Sequence, residues 1–415
     1  MTLSSRVAMP GQVRSVAAQD ASGPLYVTSY GTSPLETVVT MMDLGGATAW
    51  QRTYAGTGRP RSRLSADGTL WVAYPHQGGR TLEGVLPDGS THRTVVPARK
   101  AGEELSAFAL LDDGFCIAWA GASPMLRMSE HGHPASSSPR VARYTWDGDC
   151  LWSTPIALGA VSHPGVLGMG ADTGWEVRPL RPWVPEEVDV DHWEPLLVSG
   201  DRVAASFTDA RGALGRTFFL DLAGGAIVSA TSPAPTGRKA IAGPGEFLIG
   251  SQGYGEFTTR RYDRDGSETA RWASHGAMLV NGRGTVCGPE LENCLSSTSR
   301  FRQLAPDNTL VDGPPLTGSS TSYPSMDQAG TSVFWRNGRL LAVDADLTPH
   351  ELFAMDDSGS VLGRTLLMDD GLVVTSLGSE VVAFRTQLGP LTEGPWPCGD
   401  ANLPGNPVVS GPGHP

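Results

Sequence analysis

Short apolar runs alternate with tight-turn signals along the chain, and the same short sequence motif recurs. A glycine, often after aspartate, opens a few β-branched and aromatic residues, as in Gly68-Thr-Leu-Trp-Val-Ala-Tyr74, Gly114-Phe-Cys-Ile-Ala-Trp119 and Gly371-Leu-Val-Val-Thr375. Such runs are typical of strands, and glycine supplies the positive φ that tight turns need. No long stretch of the sequence has the i, i+3, i+4, i+7 spacing of an amphipathic helix. The pattern predicts an all-β protein.

The spacing of this repeated motif predicts the architecture. Its openings lie 39 to 46 residues apart, except for one gap of 87 residues, at Gly23, Gly68, Gly114, Asp201, Gly245, Gly284, Gly330 and Gly371. A period of about 40 to 50 residues is that of a four-stranded blade in WD40-like and related propellers. We therefore expect a single closed β-propeller of eight four-stranded blades, with seven or nine as alternatives. Closure removes the exposed sheet edges that an open array would leave.

Turn chemistry and composition agree with this architecture. Hairpin turns are predicted at Gly45-Gly46, Asp88-Gly89, Asp147-Gly148, Gly224-Gly225, Asp265-Gly266, Asn337-Gly338 and Ser358-Gly359. A tryptophan follows three of these turns, and we expect Trp50, Trp152 and Trp272 to pack between neighbouring blades. The chain holds 52 Gly and 32 Pro, and only 18% of its residues are charged, which is typical of turn-rich proteins.

The gap of 87 residues contains a region, at about residues 155–200, where the repeat is interrupted. Its length fits a ninth, degenerate blade, but the run from Trp175 to Glu187 carries too many prolines for central strands. We therefore favour a Pro/Trp-rich insertion that projects from a ring of eight blades. The expected organisation is a single propeller domain over residues 1–415, with this insertion and a loose C-terminal tail from about residue 403.

The insertion also holds the candidate site residues. Aromatic and acidic side chains gather there: Trp175, Trp183, Glu186, Glu187, Asp189, Asp191, His192 and Trp193. Rings beside carboxylates suit sugars or basic peptides, because the rings supply contact area and the carboxylates orient the ligand. The favoured interpretation is that the tryptophans anchor the insertion onto the ring. Ligand or partner binding is the first alternative, and acid–base catalysis by the carboxylates is the second.

The five cysteines allow two disulfides. Cys287 and Cys294 could close a small loop, and Cys116 and Cys150 could lie on strands of one blade, which would leave Cys398 over. The alternative is that all five are buried thiols. The sequence has no Cys-x-x-Cys and no His-x-x-x-His pair, so we expect no zinc site and no other metal site.

The net charge argues against a nucleic-acid partner, and the hydropathy argues against a membrane-spanning segment. The net charge is −12 and no Lys/Arg block occurs, so a nucleic-acid partner is not expected. No apolar stretch of about 18 residues could span a membrane. The first ten residues lack the apolar core of a secretory signal. Propellers with this kind of sequence are nevertheless often exported, and we expect an extracytoplasmic protein, either secreted or periplasmic.

A resemblance to a known family appears at the blade tails. The segments Arg143–Trp152, Arg261–Trp272 and Leu340–Asp346 resemble the repeat of PQQ-like (quinoprotein-type) β-propellers, in which a strand ends in an Asp-rich turn before a Trp. The segment Pro395–Gly405 is similar to the Trp-Pro and Asp-x-x-x-x-Gly tail of many bacterial members. The resemblance covers about residues 23–405 and implies the propeller fold.

The catalytic features of that family do not transfer to this chain. Its dehydrogenases place two adjacent cysteines against the cofactor, with a calcium ion and a catalytic Asp, whereas no two cysteines are adjacent here. We therefore expect no cofactor, and a non-enzymatic binding or scaffolding module for a protein or glycan partner. The alternative is a carboxylate-based hydrolase or lyase with a pocket at the central channel. Acidic or His side chains converging at the channel mouth would distinguish the two.

Overall fold

A computed structural model describes the chain from residue 2 to residue 410. It leaves out residues 33–34, 56–60, 77–78, 101–102, 122–138, 158–165, 171–173, 179–187, 191–194, 210–214, 236, 253–256, 274–277, 292–297, 318–321 and 356–362. Strand β1 covers Thr2–Ala8 and is followed by blades of four consecutive antiparallel strands. The described part contains no helix with the length and hydropathy needed to cross a bilayer.

Blades 1 to 3 follow β1 directly. Blade 1 consists of β2 (Gln12–Ala18), β3 (Leu25–Thr32), β4 (Leu35–Met42) and β5 (Thr48–Ala55). Blade 2 consists of β6 (Arg61–Leu64), β7 (Leu70–His76), β8 (Gly79–Val85) and β9 (Thr91–Val95). Blade 3 consists of β10 (Glu103–Leu111), β11 (Gly114–Gly121), β12 (Arg140–Thr145) and β13 (Cys150–Pro155).

The region between blades 3 and 4 forms no ninth blade among the described residues. It contributes the hairpin of β14 (Val166–Gly170) and β15 (Gly174–Arg178), and then β16 (Val188–Val190). Blade 4 consists of β17 (Leu196–Ser199), β18 (Arg202–Asp209), β19 (Gly215–Asp221) and β20 (Ile227–Ala230). Strand β16 pairs with the far end of β18, so it extends blade 4. The predicted insertion is confirmed.

Blades 5 to 8 complete the ring. Blade 5 consists of β21 (Lys239–Gly243), β22 (Glu246–Gln252), β23 (Phe257–Tyr262) and β24 (Glu268–Ala273). Blade 6 consists of β25 (Leu279–Val280), β26 (Val286–Leu291), β27 (Thr298–Leu304) and β28 (Leu310–Thr317). Blade 7 consists of β29 (Ser325–Met326), β30 (Ser332–Arg336), β31 (Arg339–Val343) and β32 (Pro349–Ala354).

Blade 8 joins the two ends of the chain. Its inner strands are β33 (Thr365–Leu367), β34 (Leu372–Leu377) and β35 (Glu380–Arg385), and β1 is its outermost strand. Thr2 pairs with Arg385 and Ala8 with Glu380, so the ring closes by strand pairing. The structure confirms the all-β prediction of eight four-stranded blades. Each predicted opening lies at the turn between the first and second strands of a blade.

The core is a ring of apolar clusters between neighbouring blades. The first strand of each blade lies innermost, as in β17, where every residue is buried, whereas outer strands such as β24 alternate exposed and partly buried residues. Tyr26 and Val39 of blade 1 share one cluster with Leu64 and Val72 of blade 2. Packing between blades therefore buries surface that no blade could bury alone.

Two of the three predicted tryptophans dock on the next blade by a shared geometry. The indole Nε1 of Trp50 donates to the carbonyl oxygen of Pro87 at 2.8 Å, and the ring lies against Gly89, whose φ is 84°. A Cβ at Gly89 would lie 2.9 Å from Cγ of Trp50, so only glycine fits beneath the ring. Trp152 repeats this on blade 4, where Nε1 donates to the carbonyl oxygen of Leu222 at 2.9 Å. Trp272 is half-buried against a cluster that blades 4 to 6 share.

The disulfide predicted between Cys116 and Cys150 is wrong. Both residues lie in blade 3, as expected, but Cys116 is on β11 and Cys150 on β13, with β12 between them. Two strand spacings separate them by about 9 to 10 Å, beyond the Cα separation of about 7 Å that a disulfide allows. Cys116 is a buried free thiol and Cys150 an exposed one. Cys294 lies outside the described residues, so the pair Cys287–Cys294 stays a prediction.

Candidate functional site

The central channel holds a C-terminal segment of the chain itself. Innermost strands present an inner edge of unpaired N–H and C=O groups to the channel, and such edges need partners. Residues 389–409, hereafter the strap, run along these edges and supply the partners. The strap lies at the end of the channel where the turns between first and second strands are found. It begins at blade 7, where the buried carboxylate of Asp327 accepts the Gly389 N–H at 3.1 Å.

The first half of the strap pairs with blades 6 and 7. Met326 of β29 donates its N–H to the carbonyl oxygen of Pro397 at 3.0 Å and accepts the Thr392 N–H at 2.9 Å. Val280 of β25 exchanges two backbone hydrogen bonds with Trp396, at 2.8 and 3.1 Å. Trp396 is only 2% exposed, and Cys398 is fully buried. These contacts accompany the burial of residues 396–399.

Arg364, which directly precedes β33, fixes the middle of the strap. Its Nε donates to the carbonyl oxygen of Gly399 at 2.6 Å, and its Nη1 donates to that of Leu403 at 3.3 Å. Its Nη2 donates to the carbonyl oxygen of Asn402 and to Sγ of Cys398. The side chain is 2% exposed. A buried guanidinium is therefore satisfied largely by main-chain oxygens of the strap, with hydrogen bonds that fix its path.

The second half of the strap crosses blades 1 to 4, which corrects the prediction of a loose tail from residue 403. The carbonyl oxygens of Leu403, Pro404, Pro407 and Val409 accept N–H groups at distances of 3.0, 3.3, 2.9 and 2.9 Å. The donors are, in the same order, Ala18 of blade 1, Leu64 of blade 2, and Val198 and Gly200 of blade 4. Val408–Val409, strand β36, pairs in parallel with β17. The sequence suggested a loose tail because it is rich in Gly and Pro, but its partners are distant in the sequence.

Ionisable groups offer little for acid–base chemistry in the described part of the chain. Every carboxyl group there with a resolved change has a lowered pKa: Asp67, Asp88, Glu268, Asp307 and Asp346. Asp88 is typical, because hydrogen bonds from the hydroxyl and N–H of Ser90 stabilise its carboxylate and lower its pKa. A general acid would need a raised pKa. No group of three described His, Cys, Asp or Glu residues could hold a metal ion.

Among the described residues, the most buried ion pair lies near the base of the insertion. Nε and Nη2 of Arg140 donate to the two carboxylate oxygens of Glu103 at 2.7 and 2.8 Å, and the side chains are 5% and 0% exposed. Nη1 of Arg140 also donates to the hydroxyl of Ser153 at 3.0 Å, two residues before β13 ends at Pro155. Burial opposes the charge of Arg140, but the bonds to Glu103 outweigh it and raise the pKa of Arg140. The pair ties β10, β12 and β13 together.

The predicted site residues of the insertion lie at or beyond the limit of what the structure describes. Trp175 lies on β15 and Asp189 on β16, where Asp189 is the partner of Thr208 on β18. The others lie outside the described residues: Trp183, Glu186, Glu187, Asp191, His192 and Trp193.

Sequence reasoning missed two residues of the channel, Arg364 and Asn406. No local pattern marks Arg364, because its partners lie on the strap and on β2. The Asp-x-x-x-x-Gly pattern at Asp400–Gly405 was a usable signal for the strap. It marks the turn that carries the chain from Arg364 to blades 1 and 2.

Comparison with known proteins supports the fold. No family model and no curated protein sequence matches the chain. Among solved structures, the Dos1 propeller is 10% identical, with 92% of this chain and 95% of that one covered and a TM-score of 0.58. A streptogramin B lyase is also 10% identical, with 91% and 96% covered and a TM-score of 0.46. The Neurospora crassa Pan2 WD40 domain is 10% identical, with 80% and 91% covered and a TM-score of 0.41. At this identity the likeness shows the fold alone, a β-propeller.

Proposed function

We propose that the protein is a PQQ-like propeller that acts as a non-enzymatic binding or scaffolding module for a protein or glycan partner. The observation that supports this proposal is the strap, which occupies the channel where propeller enzymes of the expected alternative type would place a pocket. Main-chain groups on the inner edges of blades 1 to 4 and of blades 6 and 7 bond to strap residues. While the strap is in place, contacts with a partner are left to the outer surfaces.

The carboxylate-based hydrolase or lyase gains no support from the described residues. Such an enzyme needs one carboxyl group held neutral near its working pH, usually by burial or by a second carboxylate. The resolved pKa changes of described carboxyl groups run the other way, and Asp88, Asp307 and Asp346 lie in outer hairpin turns. These aspartates act as turn formers.

The insertion is the proposed contact surface, on the end of the ring opposite the strap. Neighbouring strands in a blade are antiparallel, so the connection from β13 to β17 leaves at the other end from the turns that lie over the strap. The proposed contacts are the rings of Trp175, Trp183 and Trp193 and the carboxylates of Glu186, Glu187, Asp189 and Asp191, with His192. Rings and carboxylates together suit sugar hydroxyls or basic side chains.

Replacement of Trp175, Trp183 and Trp193 by Ala together tests the proposal. Partner capture from a cell extract and binding to a glycan array are compared between the wild-type chain and the variant, and thermal unfolding is measured in parallel. Leu151→Ala, at an exposed position on β13, is the matched control for loss of apolar surface. Lost binding with an unchanged unfolding midpoint supports the proposal. Unfolding of the variant would indicate that the tryptophans only anchor the insertion, and unchanged binding would contradict the proposed surface.

A further inference from the structure

The two halves of the strap differ in how they are buried. In the first half, residues 389–395 are half-buried or exposed, and the consecutive residues 396–399 are all buried. In the second half burial alternates: Leu403, Gly405 and Pro407 are buried, whereas Asn402, Pro404, Asn406 and Val408 are half-buried. Residues 402–405 form a turn, closed by a hydrogen bond from the Gly405 N–H to the Asn402 carbonyl oxygen at 2.9 Å, and Leu403 belongs to an apolar core cluster. Residues 406–409 then lead into β36 and lie on the ring, with one side against it and the other side open.

Main-chain groups make most of the contacts of the second half. Ala18, Leu64, Val198 and Gly200 of blades 1, 2 and 4 donate N–H groups to its carbonyl oxygens. Nη1 of Arg63 adds a bond of 2.8 Å to the carbonyl oxygen of Gly405. Residues 404 and 407 are prolines, which have no N–H to donate. The surface thus recognises an extended, proline-containing backbone by its carbonyl groups.

One side chain of this half adds sequence specificity. The side-chain amide of Asn406 accepts the Leu110 N–H at 3.0 Å and donates to the Leu110 carbonyl oxygen at 2.9 Å. Both main-chain groups of Leu110, on the inner edge of β10, thus have a hydrogen-bond partner. An amide that bonds in both directions discriminates strongly against residues without one. Asn406 is therefore the anchor of the second half.

The outer side of the second half borders an open groove. This groove lies between blades 2 and 3 and has a volume of about 530 Å3. The stacked rings of Trp71 and Trp146, 4.8 Å apart, line one part of it, and Asp67 and His92 line another. Asn402, Pro404, Asn406 and Val408 contribute their half-buried sides. The buried Arg364 holds the carbonyl oxygens of Asn402 and Leu403. The contacts of residues 406–409 with the ring are with blades 3 and 4, so these four residues can leave while Arg364 keeps its partners.

We propose that residues 406–409 are a ligand carried within the chain, and that the surface they leave binds an extended, proline-containing peptide of a partner protein. The main-chain N–H groups of Val198 and Gly200 of blade 4 would hold that peptide, and the N–H and carbonyl groups of Leu110 of blade 3 would select an amide side chain. The inference rests on the proposed function as a binding module and gives its protein partner a chemical form. Tethering keeps the chain's own segment at a high effective concentration, so a partner peptide competes with it.

Hydrogen–deuterium exchange of the native full-length chain tests whether the second half opens by itself. The amides of Asn406, Val408, Val409, Leu110 and Val198 are expected to exchange together, about ten-fold or more faster than those of Trp396 and residues 398–403. Asn406→Ala should accelerate only the first group. Ser410→Ala, exposed and directly after the strap, should change neither. Equal protection of both halves in the wild-type chain overturns the proposal.

A second arm tests the surface with a defined peptide. A fluorescein-labelled peptide with the sequence of residues 402–410 is titrated into the full-length Asn406→Ala chain, with anisotropy as the readout. It should bind about ten-fold more tightly than to the wild-type chain, and a peptide with Ala in place of its second Asn should bind about ten-fold more weakly. If Asn406→Ala does not fold, Val408→Gly replaces it. Absence of binding overturns the proposal. The tryptophan variant of the insertion leaves this surface intact, so the two proposals fail separately.

Discussion

The guanidinium Nε of Arg364 donates a 2.6 Å hydrogen bond to the carbonyl oxygen of Gly399, where blade 8 meets the strap inside the channel. The same side chain also bonds the carbonyl oxygens of Val16 and Leu403, so one residue links blade 8, blade 1 and the strap. Arg364 thus closes the ring between blades 8 and 1 a second time, in addition to the pairing of β1 with β35.

Arg364→Met should therefore destabilise the protein strongly. The substitution keeps much of the side-chain volume but leaves several buried carbonyl oxygens without donors, at an expected cost of about 2 to 4 kcal/mol in the free energy of unfolding. Urea denaturation followed by tryptophan fluorescence measures it. The exposed Arg271→Met is the matched control and should leave the free energy of unfolding close to that of the wild type. A loss below about 0.5 kcal/mol at Arg364 would show that the strap is not held there.

A pair of glycines separates backbone strain from inter-blade packing. Gly89 and Gly378 both have positive φ, but a Cβ at Gly89 meets the Trp50 ring, whereas one at Gly378 meets nothing within 4 Å. Gly378→Ala should cost about 1 to 2 kcal/mol from its backbone conformation alone. Gly89→Ala should cost about 1 to 3 kcal/mol more, because it also displaces the indole. Equal losses in urea denaturation would argue against the Trp50 docking contact.

The blades and their turns could be predicted from the sequence because their signals are local. A positive φ at a residue such as Gly89 depends on two or three neighbours, and the repeat multiplies that signal. Beyond the turn at Asp400–Gly405, the path of the strap could not be predicted, because Leu403 and Pro404 bond to Ala18 and Leu64, which are far away in the chain. Cys116 and Cys150 were placed in the right blade, but their pairing depended on the strand order, which puts β12 between them.

The ion pair of Glu103 and Arg140 should show the asymmetry of a buried charge pair. Either Glu103→Gln or Arg140→Met alone leaves an uncompensated partner, at an expected cost of about 3 to 5 kcal/mol. The double variant should cost clearly less than the two losses combined. Glu268→Gln, in the exposed pair with Arg271, is the control and should cost less than about 1 kcal/mol. Additive losses would contradict direct coupling.

The thiol of Cys116 predicts a loss of stability at alkaline pH. Burial raises the pKa of Cys116 to about 12, whereas a thiol in an unfolded chain ionises near about 8.5. The folded state disfavours the thiolate, so the stabilisation is complete below about pH 8.5 and is lost as pH rises towards 12, by about 1.4 kcal/mol per pH unit. Urea denaturation at pH 8 and pH 10 should show a loss about 1 to 2 kcal/mol greater for wild type than for Cys116→Ala. Parallel losses would contradict the burial of this thiol.

The position of the strap in the channel can be tested by a single cross-link. Val408 of β36 and Val198 of β17 are direct partners in a parallel pair. In a chain with Cys150→Ser, the double variant Val198→Cys and Val408→Cys should form a disulfide under mild oxidation, because paired strands place the two Cα atoms within the range that a disulfide requires. Val228→Cys with Val408→Cys is the control, since Val228 lies on β20, the outer strand of the same blade. A cross-link in the first variant and none in the control, read by mass spectrometry after digestion, is the predicted result. A chain that forms no cross-link between residues 198 and 408 would show that the strap does not occupy the channel.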